Sequence, residues 1–460
     1  MAIYLGDIAS VSINYQRTAS AGARLGIALL FGYESGLPAN VSYIGSEQEL
    51  IDTYGLADTD PTYLAAQAAF AQADAGAILI PRMAIAKRLA NVAQVSSVTF
   101  SAATSGEYYT VTVTYDGTEY AETITADGSA TMQEIVEALA VALNGSLPAP
   151  SVAVTEDNTK LILTAETAGI GFTVAASSTA SGVTATITED TANRNAATQL
   201  SALELADPEE AGYYYVVPVG SGSIYAPDQD IEQITLWAEA QQDAYMGVFL
   251  TSNYDYIDPT VTDDLGSVLK TAKRTRCVIV VDDAGSPVHT AVMGWILGRL
   301  PSEKLGGWHH LSLSGVDPSS YDSSDFTSSR TKRVNAYFRI ANNTARVFMP
   351  GLCISQLEAR QRIGLDALTL EIQTAILDLF TRAAQANTVI PNTAKGKGQI
   401  KSVVDPVLAR YATTDRQLFQ TAPTCDMSNA TFADGLLSGV TFSGTRADAV
   451  LLVQLNGKFQ

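Results

Sequence analysis

Alternating and helically spaced apolar positions divide the chain into blocks of different character. Near the start, Val11, Ile13 and Tyr15 alternate with Ser12, Asn14 and Gln16, the pattern of a strand with one apolar face. Residues 1–25 therefore read as an extended arm, loosened at 18–22. Residues 24–33, RLGIALLFGY, are apolar on both sides, as in a strand central to a sheet. Residues 43–82 predict a short strand, two small helices and a buried strand at 77–80 that ends in Pro81-Arg82. Ser46 and Glu49 have capping-box spacing for the first helix, and Gly55 ends it. Asp60-Pro61 opens the second, with proline at its first position, and Tyr63, Leu64, Ala68 and Phe70 give it an apolar stripe.

From about residue 93 the composition shifts to Thr, Ser, Ala, Gly and Val. Residues 110–115, TVTVTY, alternate cleanly, Asp116-Gly117 is a hairpin turn signal, and 119–125 is the return strand. Met132, Ile135, Val136, Leu139 and Leu143 fall at helical spacing. Residues 160–164, 171–175 and 183–188 read as further strands. An α/β pattern then resumes: strands at 213–219, 247–251 and 277–281 alternate with helices at 228–245, 260–273 and 287–300, which predicts a mostly parallel sheet covered by helices. Beyond residue 302, 347–354 is strand-like, and Leu368, Ile372, Ile376, Leu379 and Phe380 form a helical stripe. Residues 406–411 continue helically, 414–419 as helix or turn, and 441–443 as a strand. Residues 449–455, AVLLVQL, are a terminal strand apolar on both faces.

The expected fold class is α/β and α+β multidomain: a mixed α/β core sheet with helices, a β-rich inserted domain, and extended N- and C-terminal arms. The divisions are an arm at 1–25, an α/β core domain from 26–92 and 196–301, an inserted α+β domain at 93–195, a C-terminal α+β core domain at 302–445 and an arm strand at 446–460.

Composition narrows the function. The 460 residues are 47% hydrophobic, enough for a packed core, but only 17% charged against roughly 25% in typical soluble domains. Extensive subunit interfaces account for that deficit; a single large core is the plainer explanation. The net charge of −20 argues against nucleic-acid binding, which requires a positive field, and against attraction to anionic membranes. Three widely separated cysteines contain no CxxC pair and read as free thiols in a reducing compartment. The first ten residues lack the basic and apolar regions of a signal peptide, and no apolar run approaches the roughly 18 residues of a membrane span. These features predict folding in a cytoplasm.

Several stretches carry candidate chemistry. Residues 218–223, PVGSGS, follow a strand and precede a helix, where a phosphate loop would sit, but Tyr225 stands where G-x-G-x-x-G needs its third glycine. Residues 393–402, TAKGKGQIKS, lack the glycine before Lys401 that a Walker loop requires. They read instead as a basic mobile loop, with contact between Lys395, Lys397 and Lys401 and an acidic partner as the functional alternative. Asp282-Asp283 end a strand, a place for metal-binding acids or for a simple cap before Gly285. His309-His310 on a strand would point to opposite faces and share no site. No catalytic residue, metal ligand or cofactor is assigned, and the chain reads as a non-enzyme. The terminal strand must be buried, either in its own sheet or by strand addition to a neighbour.

Phe31-Gly32-Tyr33, residues 43–50, Tyr54-Gly55, Pro61-Thr62-Tyr63 with Ala65-Ala66, Phe70, Gln72 and Pro81-Arg82 resemble the N-terminal signature of bacteriophage contractile-tail sheath proteins. Residues 364–380, GLDALTLEIQTAILDLF, are similar to the C-terminal helical region of the same family. The resemblance covers about half the chain; the long-sheath C-terminal pattern is absent. It implies a structural subunit of the virion, assembled in the host cytoplasm as stacked, usually hexameric rings around a tail tube, with no nucleic acid bound and no membrane insertion. The implied partners are further copies of the chain, the tube protein, and baseplate and tail terminator proteins. The C-terminal core would lie nearest the tube and inserted domains outside. Val11, Ile13 and Tyr15, with Val450, Leu451, Leu452, Val453 and Leu455, would form inter-subunit strands, and Lys395, Lys397 and Lys401 would face the tube. Another phage structural protein, of baseplate or surface lattice, and an α/β enzyme using the 218–223 loop stand as alternatives.

Overall fold

The structure is a computed structural model that describes residues 25–72, 82–206, 212–241, 245–297, 307–340, 345–355, 357–433, 436–438, 440–445 and 447. The chain divides into two compact units, one formed by Met1–Arg88 and Leu203–Gln460, the other by Leu89–Ala202. Both expected arms, 1–24 of the first and 448–460 of the second, and the strand expected at 77–80 lie outside the described residues.

The first unit opens with β1 (Ala28–Gly32), buried at every position as its two-sided apolar sequence requires. Next come β2 (Ser42–Ile44), α1 (Gln48–Asp52), α2 (Pro61–Phe70) and β3 (Met83–Lys87). Helix α1 starts one residue later than the Ser46 cap predicts: Glu47 is the cap residue, and the Glu49 carboxylate accepts the amide of Gly45 instead. Helix α2 begins at Pro61 as expected, with Ala65, Ala66 and Ala69 fully buried.

The second unit contains β4 (Val95–Phe100), β5 (Tyr108–Tyr115), β6 (Thr118–Thr125), α3 (Met132–Ser146), β7 (Val152–Asp157), β8 (Lys160–Ala165), β9 (Thr173–Ser178) and β10 (Ala185–Thr191). The sheets run β10-β4-β8-β7 and β6-β5-β9, with every pair antiparallel. Tyr115 pairs with Thr118 across Asp116-Gly117, whose φ values of 49° and 72° give the turn matched to strand twist. Tyr109, Val111 and Val113 point inward from β5, where Ile135, Val136, Leu139 and Leu143 of α3 share their core. Strands β4 and β7 carry no clean alternation. Long-range pairing creates them: β4 is a central strand because β8 and β10 flank it, and Ser96 and Ser97 are buried there. Helix α4 (Ala196–Ala206) follows.

The first unit continues through β11 (Tyr215–Pro218), α5 (Asp228–Ala240), β12 (Met246–Thr251), α6 (Leu265–Thr271), β13 (Cys277–Val281) and α7 (Val288–Leu297). The sheet order is β13-β12-β11-β1-β3-β2, parallel except for β2 at the edge. The predicted mostly parallel sheet is therefore present, and α2 packs on both β1 and α7. Next follow α8 (Ser323–Lys332), the hairpin β14 (Ala336–Ile340) and β15 (Ala345–Met349), the 27-residue α9 (Ala359–Gln385) and α10 (Ala394–Arg410). Short strands β16 (Cys425–Asp426), β17 (Thr431–Ala433), β18 (Leu436–Ser438) and β19 (Thr441–Phe442) complete the described elements. Trp308, Phe348, Ala367, Leu368 and Leu408 share one apolar core with the sheet strands.

Helix α10 corrects the reading of 393–402 as a mobile loop. Its two glycines and three lysines hide an apolar stripe, Ile400, Val404, Val407 and Leu408, buried against α9. Gly396 is needed for close approach, since a Cβ there would stand 1.9 Å from the Pro391 carbonyl oxygen.

Candidate functional site

In an open α/β sheet, ligands bind outside the carboxyl ends of the strands where the connections diverge. Here that point lies between β1 and β11, because the chain leaves β1 toward β3 on one side and returns to β11 on the other. Two helix N-termini, of α2 and α5, face it, and such ends attract anions through unpaired amides and the helix dipole.

A carboxylate of the chain itself stands at each end. Glu34, just past β1, accepts the Thr62 amide at 2.9 Å and the Thr62 hydroxyl at 2.7 Å in the first turn of α2. Asp230, in the first turn of α5, pairs with Arg88 at 2.7 Å, both side chains almost wholly buried. The Tyr33 hydroxyl donates to the same carboxylate at 3.4 Å. Burial, then the Asp230 charge, pushes the Tyr33 hydroxyl up to about 12, so it stays protonated as a donor. Arg88 also lies over the rings of Phe31 and Tyr33, centroids 5.8 and 5.4 Å away. Asp230 and Arg88 neutralise one another, so the pair presents no net positive charge to an incoming anion. The crevice is built as a closed polar joint rather than an anion cradle.

The 218–223 loop folds on itself. The Ser223 amide donates to the Gly220 carbonyl at 3.4 Å, and the Tyr225 amide to the Ser223 hydroxyl at 3.2 Å. A Cβ on Gly220 would stand 2.1 Å from the Tyr225 carbonyl oxygen. The Ser223 and Tyr225 amides are thus used within the turn itself.

Asp282 and Asp283 behave as strand-end caps. Asp282 is fully buried and accepts the Ser286 amide at 3.0 Å and the Ser319 hydroxyl at 2.9 Å. Burial raises its pKa, the Asp283 charge adds to the rise, and the Ser286 and Ser319 hydrogen bonds oppose it. Asp283 accepts the Ser320 amide at 2.9 Å and the Ser320 hydroxyl. Together they tie residues 319–320 to the end of β13.

His309 and His310 depart from the strand expectation. They sit in a turn, His310 has φ 59°, and the two Nδ1 atoms approach to 2.8 Å. Burial, then His310, lowers the His309 pKa. Of the three lysines, Lys395 is exposed. Lys397 donates to the Ala430 carbonyl, and Lys401 to the Cys425 carbonyl and, in an ion pair of 3.1 Å, to Asp405. The structure does not gather the three lysines into a shared contact. Val11, Ile13, Tyr15, Val450, Leu451, Leu452, Val453 and Leu455 lie outside the described residues.

Residue patterns gave no warning of two buried polar hubs. Asp366, inside α9, accepts both Arg276 Nη atoms at 2.9 and 3.1 Å, the Tyr214 hydroxyl at 2.6 Å, and Arg362. Burial alone would raise its pKa; the Arg276 and Arg362 guanidiniums outweigh that and hold it low. Asn335 donates to the Ile279 and Leu352 carbonyls at 3.0 and 2.9 Å and accepts the Gly351 and Leu352 amides, each at 2.8 Å. The only sequence signal for Asp366 is an acid interrupting the apolar stripe of a helix.

No protein-family model and no curated protein matches the chain. Among solved structures, a sheath tail protein from Desulfitobacterium hafniense aligns with 14% identity and a TM-score of 0.44, over 95% of this chain and 97% of that one. A sheath tail protein from Listeria innocua aligns with 13% identity and a TM-score of 0.44, over 94% of this chain and 100% of that one.

Proposed function

We propose that this chain is a structural subunit of a bacteriophage contractile tail sheath, assembled in stacked rings around a tail tube. The observation that carries the reading is the closed joint at the sheet's carboxyl edge. Glu34 takes an amide in the first turn of α2, and Asp230, in the first turn of α5, is paired with Arg88, where an α/β enzyme would hold an anionic ligand. The sequence block that resembles the sheath signature supplies that joint, through Phe31-Gly32-Tyr33 and Thr62. Its residues serve here in packing and cross-bracing. In this reading the subunit moves as a rigid body, and contraction exchanges one packing of subunits for another without nucleotide hydrolysis. The expected partners are further copies of the chain, the tube protein, and the baseplate and terminator proteins at the two ends. Lys395, exposed at the start of α10, is the residue we assign to the tube among the three lysines.

Electron microscopy of the purified protein tests the assembly, with hollow helical tubes expected; closed small oligomers alone would overturn it. The role of the C-terminal strand is tested by deleting residues 449–460. The Ala447 carbonyl is anchored by Arg360 at 2.6 Å and Gln361 at 3.2 Å, and this anchor precedes the deletion. The truncated chain should keep its circular dichroism spectrum and thermal transition yet form no tubes. Normal tubes from the truncation would exclude strand addition through 450–455.

A further inference from the structure

We propose that His309 and His310 form a chelating site for a divalent transition-metal ion that prefers right-angle coordination, copper(II) or nickel(II), bound through their two Nδ1 atoms with water completing the shell. Adjacent side chains diverge on a strand, but here the backbone turns between them. His310 has φ 59°, and the rings meet edge to face at 88° with centroids 5.1 Å apart.

The turn is fixed from both sides. Trp308 is buried to 1% exposure, the His310 amide donates to the Phe348 carbonyl at 2.9 Å, and the Phe348 amide donates to the Leu311 carbonyl at 2.9 Å. These bonds fix the backbone of the turn, and a hydrogen bond between the two Nδ1 atoms brings the rings together, with its proton the one a metal ion would displace.

The spacing selects the geometry. With metal–nitrogen bonds of about 2.0–2.1 Å, ligands at right angles stand about 2.9 Å apart and tetrahedral ones about 3.4 Å. In the hydrogen bond that joins the rings the two atoms stand 2.8 Å apart, so an ion replacing the shared proton would find them close to the spacing of adjacent corners of a square or octahedron, the preference of copper(II) and nickel(II). Metal binding requires both rings to carry their proton on Nε2 so that both Nδ1 lone pairs face the ion. Glu358 and Arg360, whose charges act on His309, are paired with one another at 2.8 Å. Among the described residues no group of three His, Cys, Asp or Glu side chains is placed to hold a metal ion. The third histidine of the sequence, His289, is fully buried and does not compete.

The test uses the untagged full-length protein and the metal ions alone. One equivalent of copper(II) should give an electron paramagnetic resonance spectrum with coupling to two imidazole nitrogens. His309→Ala and His310→Ala should each weaken binding by calorimetry about tenfold or more, equivalent to ~1.4 kcal/mol. A wild-type spectrum without two coupled imidazoles, or one unchanged in the double variant, would overturn the site. The wild-type spectrum decides the matter even if a variant fails to fold. Zinc(II) binding tighter than nickel(II) would overturn the right-angle geometry.

Discussion

Arg88 and Asp230, 142 residues apart in sequence, form a buried ion pair of 2.7 Å that joins the end of β3 to the first turn of α5. The pair sits on the line where a doubly wound sheet would open to a ligand, and it closes that line. Replacing Asp230 with Asn leaves the guanidinium without its counter-charge in an apolar setting. The expected loss is about 3–5 kcal/mol in urea unfolding. The double variant Arg88→Met/Asp230→Leu should recover much of it, since no buried charge remains. A double variant no better than Asp230→Asn would mean that the pair's geometry, not its desolvation, dominates.

Asn335 makes four hydrogen bonds from one side chain, using both donors and accepting twice. Asn335→Ala strands the Gly351 and Leu352 amides and takes a donor from the Leu352 carbonyl, while the Ile279 carbonyl keeps the backbone amide of residue 335 at 2.9 Å; each buried unsatisfied group costs about 1–3 kcal/mol. A loss of about 3 kcal/mol or more is expected. Hydrogen exchange should accelerate first at the amides of Gly351 and Leu352.

Asp366 sets an acid limit on stability. Its folded pKa is held below the unfolded value of about 3.9. The native state therefore binds fewer protons than the unfolded state in that range, and stability rises with pH. The contribution is present above about pH 4 and is lost as pH falls through the folded pKa. Asp366→Asn should lower the melting temperature at pH 7 and flatten its dependence on pH below about 4. An unchanged acid limb would assign acid unfolding to other carboxylates.

Two glycines in α10 should respond oppositely to the same change. Around Gly398 a Cβ would meet nothing within 4 Å, whereas at Gly396 it would strike the Pro391 carbonyl. Gly398→Ala should stabilise by up to about 1 kcal/mol through helix propensity. Gly396→Ala should destabilise, because the contacting atom is backbone and cannot swing aside. Thermal unfolding of the two variants checks both signs.

Much of the fold was legible because periodicity reports burial. The two-sided apolar runs of β1 and β13, the Asp116-Gly117 hairpin and the stripes of α3 and α9 each follow from local residue order. The 393–402 stretch was misleading because Gly and Lys dominate its first turns, while its packing residues begin at Ile400. His309 and His310 were misplaced because the left-handed turn between them depends on the anchoring of Trp308 and Phe348, not on the dipeptide.

By itself, the sequence determined the parallel sheet with its main strands and the want of a complete phosphate-loop signature, since these rest on spacing and residue type. Only the tertiary structure decided what occupies the sheet's carboxyl edge. The partners there, Glu34 with Thr62, Arg88 with Asp230, and Asp282 with Ser319, lie 28, 142 and 37 residues apart. Local pattern carries no information on such pairs. They exist because a buried charge or hydroxyl must find its complement wherever the packed chain brings one within reach.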